Sequence, residues 1–73
     1  MLPRHGAKRE TSMPEVFVHA IEGRTIEQKR KLVADITDAV VRNFDVSPDA
    51  VMVQIIESSR ENKAKGGKLF SER

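Results

Sequence analysis

Two short segments of this chain carry apolar side chains on both faces, and a single amphipathic stretch separates them. The side chains of residues 15–21 alternate between two faces, with Val16, Val18 and Ala20 on one and Phe17, His19 and Ile21 on the other. Residues 51–57 repeat this pattern. Because successive side chains of a strand point to opposite sides of a sheet, both segments predict strands that are covered on both faces.

The stretch between them, residues 26–44, predicts one helix. Its apolar residues recur at three- and four-residue spacing and form one stripe: Leu32, Val33, Ile36, Ala39, Val40 and Phe44. Thr25 and Gln28 have the spacing of a capping box, which predicts where the helix begins. Two ion pairs at i,i+4 spacing are expected on the solvent face, Glu27–Lys31 and Asp38–Arg42.

Shorter features follow the helix. Ser47 and Pro48 predict one short helical turn, and residues 58–65 are polar and loop-like. Gly66-Gly67 predicts a tight turn, after which Leu69 and Phe70 are expected to pack as a short terminal strand.

The order strand, helix, strand predicts an α/β (α+β) fold, namely a single βαβ protomer with parallel strands and a right-handed crossover. Two strands with one helix are too few to be stable alone. The helix covers only one face of the sheet, so the apolar residues on the other face need a second copy of the protein. The sequence therefore predicts an oligomer.

The composition of the chain also favours association. At 73 residues the chain is one domain at most, and it buries only about 60% of the surface that its unfolded form exposes. Because cysteine is absent and only two histidines are present, we expect neither a disulfide nor a metal site to supply the missing stability. A cysteine-free chain also suits the reducing cytoplasm, which is the expected location.

The charge pattern separates two parts of the chain. Residues 1–13 hold three basic residues and one acidic residue, whereas residues 14–73 hold ten of each, so the net charge of +2 belongs to the first part. We expect residues 1–13 to form a flexible arm and residues 14–73 to form the folded domain. A neutral domain without Trp or Tyr predicts no nucleic-acid partner. No stretch approaches the roughly 20 apolar residues that cross a bilayer, so no membrane contact is expected.

Met13 and Pro14 stand directly before the first predicted strand. If translation begins at Met13, removal of that methionine leaves Pro14 as the amino terminus, with a secondary amine as its nitrogen. The pKa of an α-amino group is about 8, and an apolar pocket beside a cation lowers it, so such an amine can accept a proton at neutral pH. If Met1 is the first residue instead, the nitrogen of Pro14 is an amide and cannot act as a base.

Arg24 follows the first strand and offers paired donors to a carboxylate or to an enolate oxygen. The strand spans roughly 20 Å, so Pro14 and Arg24 are expected to meet only across an oligomer contact. Simpler interpretations stay open for both residues. Pro14 can merely open a strand, where its missing N–H costs nothing, and Arg24 can be an exposed turn residue or a partner of Glu22.

The stretch MPEVFVHAIEGRTIEQKRKLVADITDAVV resembles the short-chain 4-oxalocrotonate tautomerases, and the resemblance extends through VSPDAVMVQIIES and ENKAKGG to cover residues 13–70. It implies a βαβ protomer that assembles into a homohexamer, a trimer of dimers. It also implies an isomerase without cofactor or metal, whose amino-terminal proline moves a proton on a 2-hydroxy-dienoate to give the conjugated 2-oxo-enoate. Pro14 matches that catalytic proline, and Arg24 matches the substrate-binding arginine of the loop after the first strand.

Two positions depart from the family pattern. Met52 stands where the second strand usually carries an arginine that polarises the substrate carbonyl, and Lys63 stands where the loop before the double glycine usually carries an aromatic residue. Loss of a donor aimed at developing negative charge typically costs about 2.7–4 kcal/mol, which counts against efficient turnover of the family's usual diacid.

Two classes of function follow from the sequence. The first is a tautomerase acting on a small unsaturated oxo or hydroxy acid, with hydrolytic dehalogenation or decarboxylation in a similar pocket as a close variant. The second is a non-catalytic assembly subunit whose sister chain supplies the amine.

Overall fold

The structure is a computed structural model that describes residues 13–73. Apart from Met13, the predicted arm of residues 1–13 lies outside the described residues. The strands and the helix are β1 (Glu15–Ile21), α1 (Ile26–Phe44), β2 (Met52–Ser58), β3 (Ala64–Lys65) and β4 (Lys68–Leu69). Single turns of 3-10 helix lie at Pro48–Ala50, Arg60–Asn62 and Phe70–Glu72. Within residues 13–73, no helix has the length and apolar character needed to cross a membrane.

Strands β1 and β2 form a parallel pair in which Val18 lies opposite Ile55. Two backbone hydrogen bonds extend this pairing beyond β1. The nitrogen of Met52 donates to the carbonyl oxygen of Pro14 at 3.0 Å, and the nitrogen of Glu22 donates to the carbonyl oxygen of Ser58 at 2.9 Å. The predicted βαβ unit with parallel strands is therefore confirmed, and both ends of β1 are fixed to β2.

Helix α1 begins where the capping box predicts. The side-chain oxygen of Thr25 accepts a hydrogen bond from the nitrogen of Gln28 at 3.1 Å, and the side-chain oxygen of Gln28 accepts one from the nitrogen of Thr25 at 2.9 Å. The helix ends at Asp45, which adopts the left-handed conformation with φ 60° and donates its N–H to the oxygen of Val41 at 3.0 Å. The predicted bounds of the helix, 26–44, are confirmed.

Of the two ion pairs predicted on the helix, the structure confirms Asp38–Arg42 but not Glu27–Lys31. Arg42 binds Asp38 at 3.4 Å, as expected, but Lys31 binds Asp35 at 3.2 Å rather than Glu27. Lys31 has an acidic residue one turn away in each direction, Glu27 and Asp35, and its ammonium group contacts Asp35. Glu27 lies in the first turn, where the helix dipole already stabilises its negative charge.

The C-terminal residues form a small hairpin rather than a single strand. Gly66 and Gly67, with φ of 62° and 80°, make the predicted tight turn between the antiparallel strands β3 and β4. The terminal strand lies one residue earlier than predicted, at Lys68–Leu69. Phe70 instead donates its N–H to the carbonyl oxygen of Lys63 at 2.9 Å and begins the last 3-10 turn.

The apolar surface of a single chain stays largely uncovered. Val46, at 8% exposure, is the one buried residue in the described part of the chain. Phe17 and Met52 lie on the sheet face opposite α1 and are 53% and 54% exposed. Large apolar side chains on an open sheet face are typical of a surface that packs against another protein.

Candidate active site

Pro14 lies at the head of β1, at one end of the βαβ unit. It is partly buried and lines a cavity of about 490 Å³ together with Met13, Phe44 and Val46. The surroundings are apolar, as a neutral amine would require. In this chain, however, the nitrogen of Pro14 is joined to Met13 in a peptide bond, so it is an amide and has no basic lone pair.

Arg24 lies beyond the other end of β1, in the turn that leads into α1. Gly23 gives this turn its shape, because its φ of 125° is a conformation that side-chain-bearing residues rarely adopt. The hydrogen bond from Glu22 to Ser58 fixes the start of the turn, and the capping box at Thr25 fixes its end. Among the described residues, Arg24 makes no hydrogen bond or ion pair, so the expected alternative of an Arg24–Glu22 pair is not observed.

Arg24 lines a cavity of about 270 Å³ between α1 and the sheet. The apolar lining comes from both strands and the helix: Val18, Ala20, Leu32 and Ile55. The polar lining consists of Arg24, Gln28, Lys29 and Glu57. Lys29 and Glu57 form an ion pair at 2.9 Å, so among the described residues Arg24 is the one cation of this lining without a partner, and it lies beside apolar side chains. That combination suits a small ligand with a carboxylate and a hydrocarbon body.

A single chain does not bring Pro14 and Arg24 together. They line two different cavities at opposite ends of the seven-residue strand β1. The strand spans roughly 20 Å, far beyond the reach of a substrate that touches both residues. A site that uses both residues therefore requires two chains, as the sequence predicts.

The two positions that depart from the family pattern lie in different places. Met52 begins β2 directly beside Pro14, with its backbone nitrogen bonded to the Pro14 carbonyl. Lys63 lies in the segment that precedes the hairpin, where it is partly buried and accepts the hydrogen bond from Phe70.

Sequence reasoning missed the Lys29–Glu57 ion pair and the contribution of Phe44 and Val46 to the cavity of Pro14. Lys29 and Glu57 are far apart in the chain, so no local spacing indicates their contact. The signal that was available is the strand pattern, which places position 57 on the same sheet face as Ile55 and therefore under the helix.

Comparisons with known proteins identify the family of this chain. The sequence profile of the family described as tautomerase enzyme matches residues 14–73. A probable tautomerase from Bradyrhizobium diazoefficiens is 52% identical over 61 residues, which cover 84% of this chain and 91% of that protein. The 2-hydroxymuconate tautomerase of Bacillus subtilis is 42% identical over 60 residues, covering 82% of this chain and 97% of that protein.

Solved structures give the same result. The 4-oxalocrotonate tautomerase isozymes from Methylibium petroleiphilum match with a TM-score of 0.77 and 45% identity, covering 82% of this chain and 94% of that one. A heterohexamer 4-oxalocrotonate tautomerase from Chloroflexus aurantiacus matches with a TM-score of 0.76 and 30% identity, covering 82% and 97%.

These relatives are named tautomerases, and tautomerases are isomerases, so the chain is an enzyme of the isomerase class. The chain belongs to the tautomerase family. The predicted family and the predicted enzyme class are confirmed.

Proposed function

We propose that residues 14–73 form a tautomerase that acts on a small unsaturated 2-hydroxy or 2-oxo acid, with 2-hydroxymuconate as the first substrate to test. The observation that carries the proposal is the start of the family match, which begins at Pro14 and not at Met1. This start of the match supports Pro14 as the amino-terminal residue of the family domain. The relative from Bacillus subtilis is named for 2-hydroxymuconate, which supports the choice of substrate.

In the proposed reaction, the secondary amine of an amino-terminal Pro14 accepts the proton of the 2-hydroxyl group. The resulting dienolate carries negative charge along its conjugated chain. The protonated amine then returns the proton to carbon 5, which gives the 2-oxo-3-enoate, an isomer of the substrate. No atom is gained or lost, and one group acts first as base and then as acid.

Arg24 of a neighbouring chain is proposed to bind a carboxylate of the substrate through its paired N–H donors. Its lack of a partner among residues 13–73 supports this role, as do the apolar side chains that line the same cavity. The exposed sheet face with Phe17 and Met52 supports self-association. We propose a homohexamer arranged as a trimer of dimers, and the cytoplasmic location stays a prediction from composition.

The second candidate is a non-catalytic assembly subunit. The peptide bond between Met13 and Pro14 favours it, because an amide nitrogen cannot carry the proton. Among solved relatives, the heterohexamer from Chloroflexus aurantiacus is an assembly with more than one kind of chain.

One experiment separates the two candidates. The full chain and a form that begins at Pro14 are each purified, and intact mass verifies the first residue. Tautomerisation of 2-hydroxymuconate and of phenylenolpyruvate is then followed by absorbance. We expect turnover only from the form that begins at Pro14, and a strong loss when Pro14 is replaced by Ala. Activity in both forms would refute the role of the amine, and activity in neither form would support the assembly subunit.

A further inference from the structure

Three charged side chains share the cavity between α1 and the sheet, and only two of them are paired. Lys29 and Glu57 form the 2.9 Å ion pair, whereas Arg24 has no partner in the described part of the chain. Glu57 is the one carboxylate among the residues that line this cavity. It is therefore the group that would compete with a substrate carboxylate for Arg24.

We propose that Lys29 is a positioning residue that holds the Glu57 carboxylate and thereby keeps the guanidinium of Arg24 open to the carboxylate of a substrate. This inference rests on the proposed function, since it takes Arg24 as the carboxylate ligand.

The Lys29–Glu57 pair is shielded from solvent more than the other ion pairs of the helix. Its side chains are 29% and 31% exposed, whereas those of the Lys31–Asp35 pair are 77% and 67% exposed. Exposed pairs contribute little and are screened by salt, whereas partly buried pairs are screened less. Salt therefore weakens the Lys29–Glu57 pair less than it weakens the exposed Lys31–Asp35 pair.

Lys29 and Glu57 lie in a helix and a strand, which fix their backbones, whereas Arg24 lies in a turn. Glu57 lies in β2 opposite Ala20, and Lys29 lies in the first turns of α1, which the capping box holds in place. Arg24 belongs to the turn between β1 and α1. Its long side chain can turn toward any carboxylate within reach, because it has no described partner of its own.

Removal of the Lys29 charge would release an acceptor in the cavity that Arg24 also lines. A carboxylate prefers a guanidinium because the two can form paired hydrogen bonds. A group held in the same cavity competes within the molecule, so a Glu57–Arg24 pair would lower the apparent affinity of Arg24 for the substrate carboxylate. Lys29 and Glu57 should then have opposite effects on ligand binding, which two residues of a merely structural ion pair would not have.

The test measures binding of trans,trans-muconate to the full chain by calorimetry. This probe has the two carboxylates of 2-hydroxymuconate but no hydroxyl proton, so binding is observed without turnover. The variants are K29M, E57Q and the double variant K29M/E57Q. The matched control is K31M, which makes the same substitution in the exposed Lys31–Asp35 pair. Thermal unfolding of every variant accompanies the titrations.

We expect K29M to weaken muconate binding about tenfold, K31M to bind like the wild type, and the double variant to recover to within about threefold of it. Unchanged binding by K29M, or a double variant as weak as K29M, would overturn the inference. If K29M does not fold, E57Q decides alone: it should bind muconate at least as tightly as the wild type, and binding weaker by about threefold or more contradicts the inference.

The muconate experiment tests the role of Lys29, and the turnover experiment tests the proposed reaction, so one can fail without the other. If the form beginning at Pro14 turns over no enol while the muconate pattern appears as expected, the proposed reaction fails and the role of Lys29 stands. If that form is active but K29M binds muconate like the wild type, the inference fails and the reaction stands. Absence of muconate binding by the wild type contradicts both the inference and the binding role of Arg24, whereas the proton transfer at Pro14 is judged by turnover.

Discussion

The backbone nitrogen of Met52 donates a 3.0 Å hydrogen bond to the carbonyl oxygen of Pro14, so the first residue of β2 is tied to the residue that precedes β1. The register places Met52 opposite Glu15. Partner residues in neighbouring strands point to the same sheet face, so the side chain of position 52 emerges beside a carboxylate. An arginine introduced at position 52, where the family usually has one, would therefore lie beside the Glu15 carboxylate.

The first prediction concerns that missing donor. In the form that begins at Pro14, M52R alone should raise kcat on 2-hydroxymuconate only modestly, because Glu15 pairs with the new guanidinium. The double variant E15Q/M52R should raise kcat about tenfold or more, since a free charged donor stabilises the developing enolate. Initial rates by absorbance measure the effect, and E15Q/M52Q is the uncharged control. Equal kcat for the arginine and glutamine versions would show that position 52 does not reach the substrate.

The second prediction concerns Arg24. R24A removes charged hydrogen bonds of about 1.5–3 kcal/mol, so KM for 2-hydroxymuconate should rise roughly 10- to 100-fold, with a smaller change in kcat. R30A is the matched control, because Arg30 is an exposed arginine of the following helix, α1, with no ion pair among residues 13–73. If R24A and R30A have equal KM values, Arg24 does not bind the substrate.

The third prediction concerns the start of α1. T25A removes the acceptor for the Gln28 nitrogen and should lower the free energy of unfolding by about 1 kcal/mol. S47A is the control, because Ser47 also precedes a helical turn but its side chain makes no capping hydrogen bond, so its effect should stay within about 0.5 kcal/mol. Urea unfolding at one fixed protein concentration measures both, since association makes stability depend on concentration. Equal losses for the two variants would contradict the assignment of the cap.

The local elements were predictable because their signals are local. The capping box depends on two residues three positions apart, and the bounds of β1 and α1 follow from side-chain periodicity within each segment. The start of β2 was predicted one residue early, because Val51 continues the apolar pattern while its nitrogen is already bonded to Pro48 in the preceding turn.

The contacts between elements were not predictable in the same way. Lys29 and Glu57 meet only because the helix crosses back over β2, and Lys31 chooses Asp35 over Glu27 although both lie at the same spacing. The cavities of Pro14 and Arg24 likewise depend on packing rather than on spacing. For the site, the sequence therefore supplied candidate residues and their separation along β1, but not the charged neighbours of Arg24.

The last prediction concerns the sheet face that one chain leaves open. Phe17 is 53% exposed on the side of the sheet away from α1, and its register partner is Gln54. If this face packs against other copies, F17E places a charge in an apolar contact at a cost that paired groups do not offset. The sedimentation mass of F17E should then fall from that of the oligomer toward that of a monomer or dimer.

The control for this prediction is A34E, which introduces the same charge at an exposed position of α1. A34E should sediment like the wild type, because Glu is well tolerated on the solvent face of a helix. Far-ultraviolet circular dichroism distinguishes dissociation from unfolding. An F17E variant that keeps both its helix signal and the wild-type mass would show that the open face is not the contact between copies. Pro14 and Arg24 would then have to meet through another surface, because β1 holds them at its opposite ends within one chain.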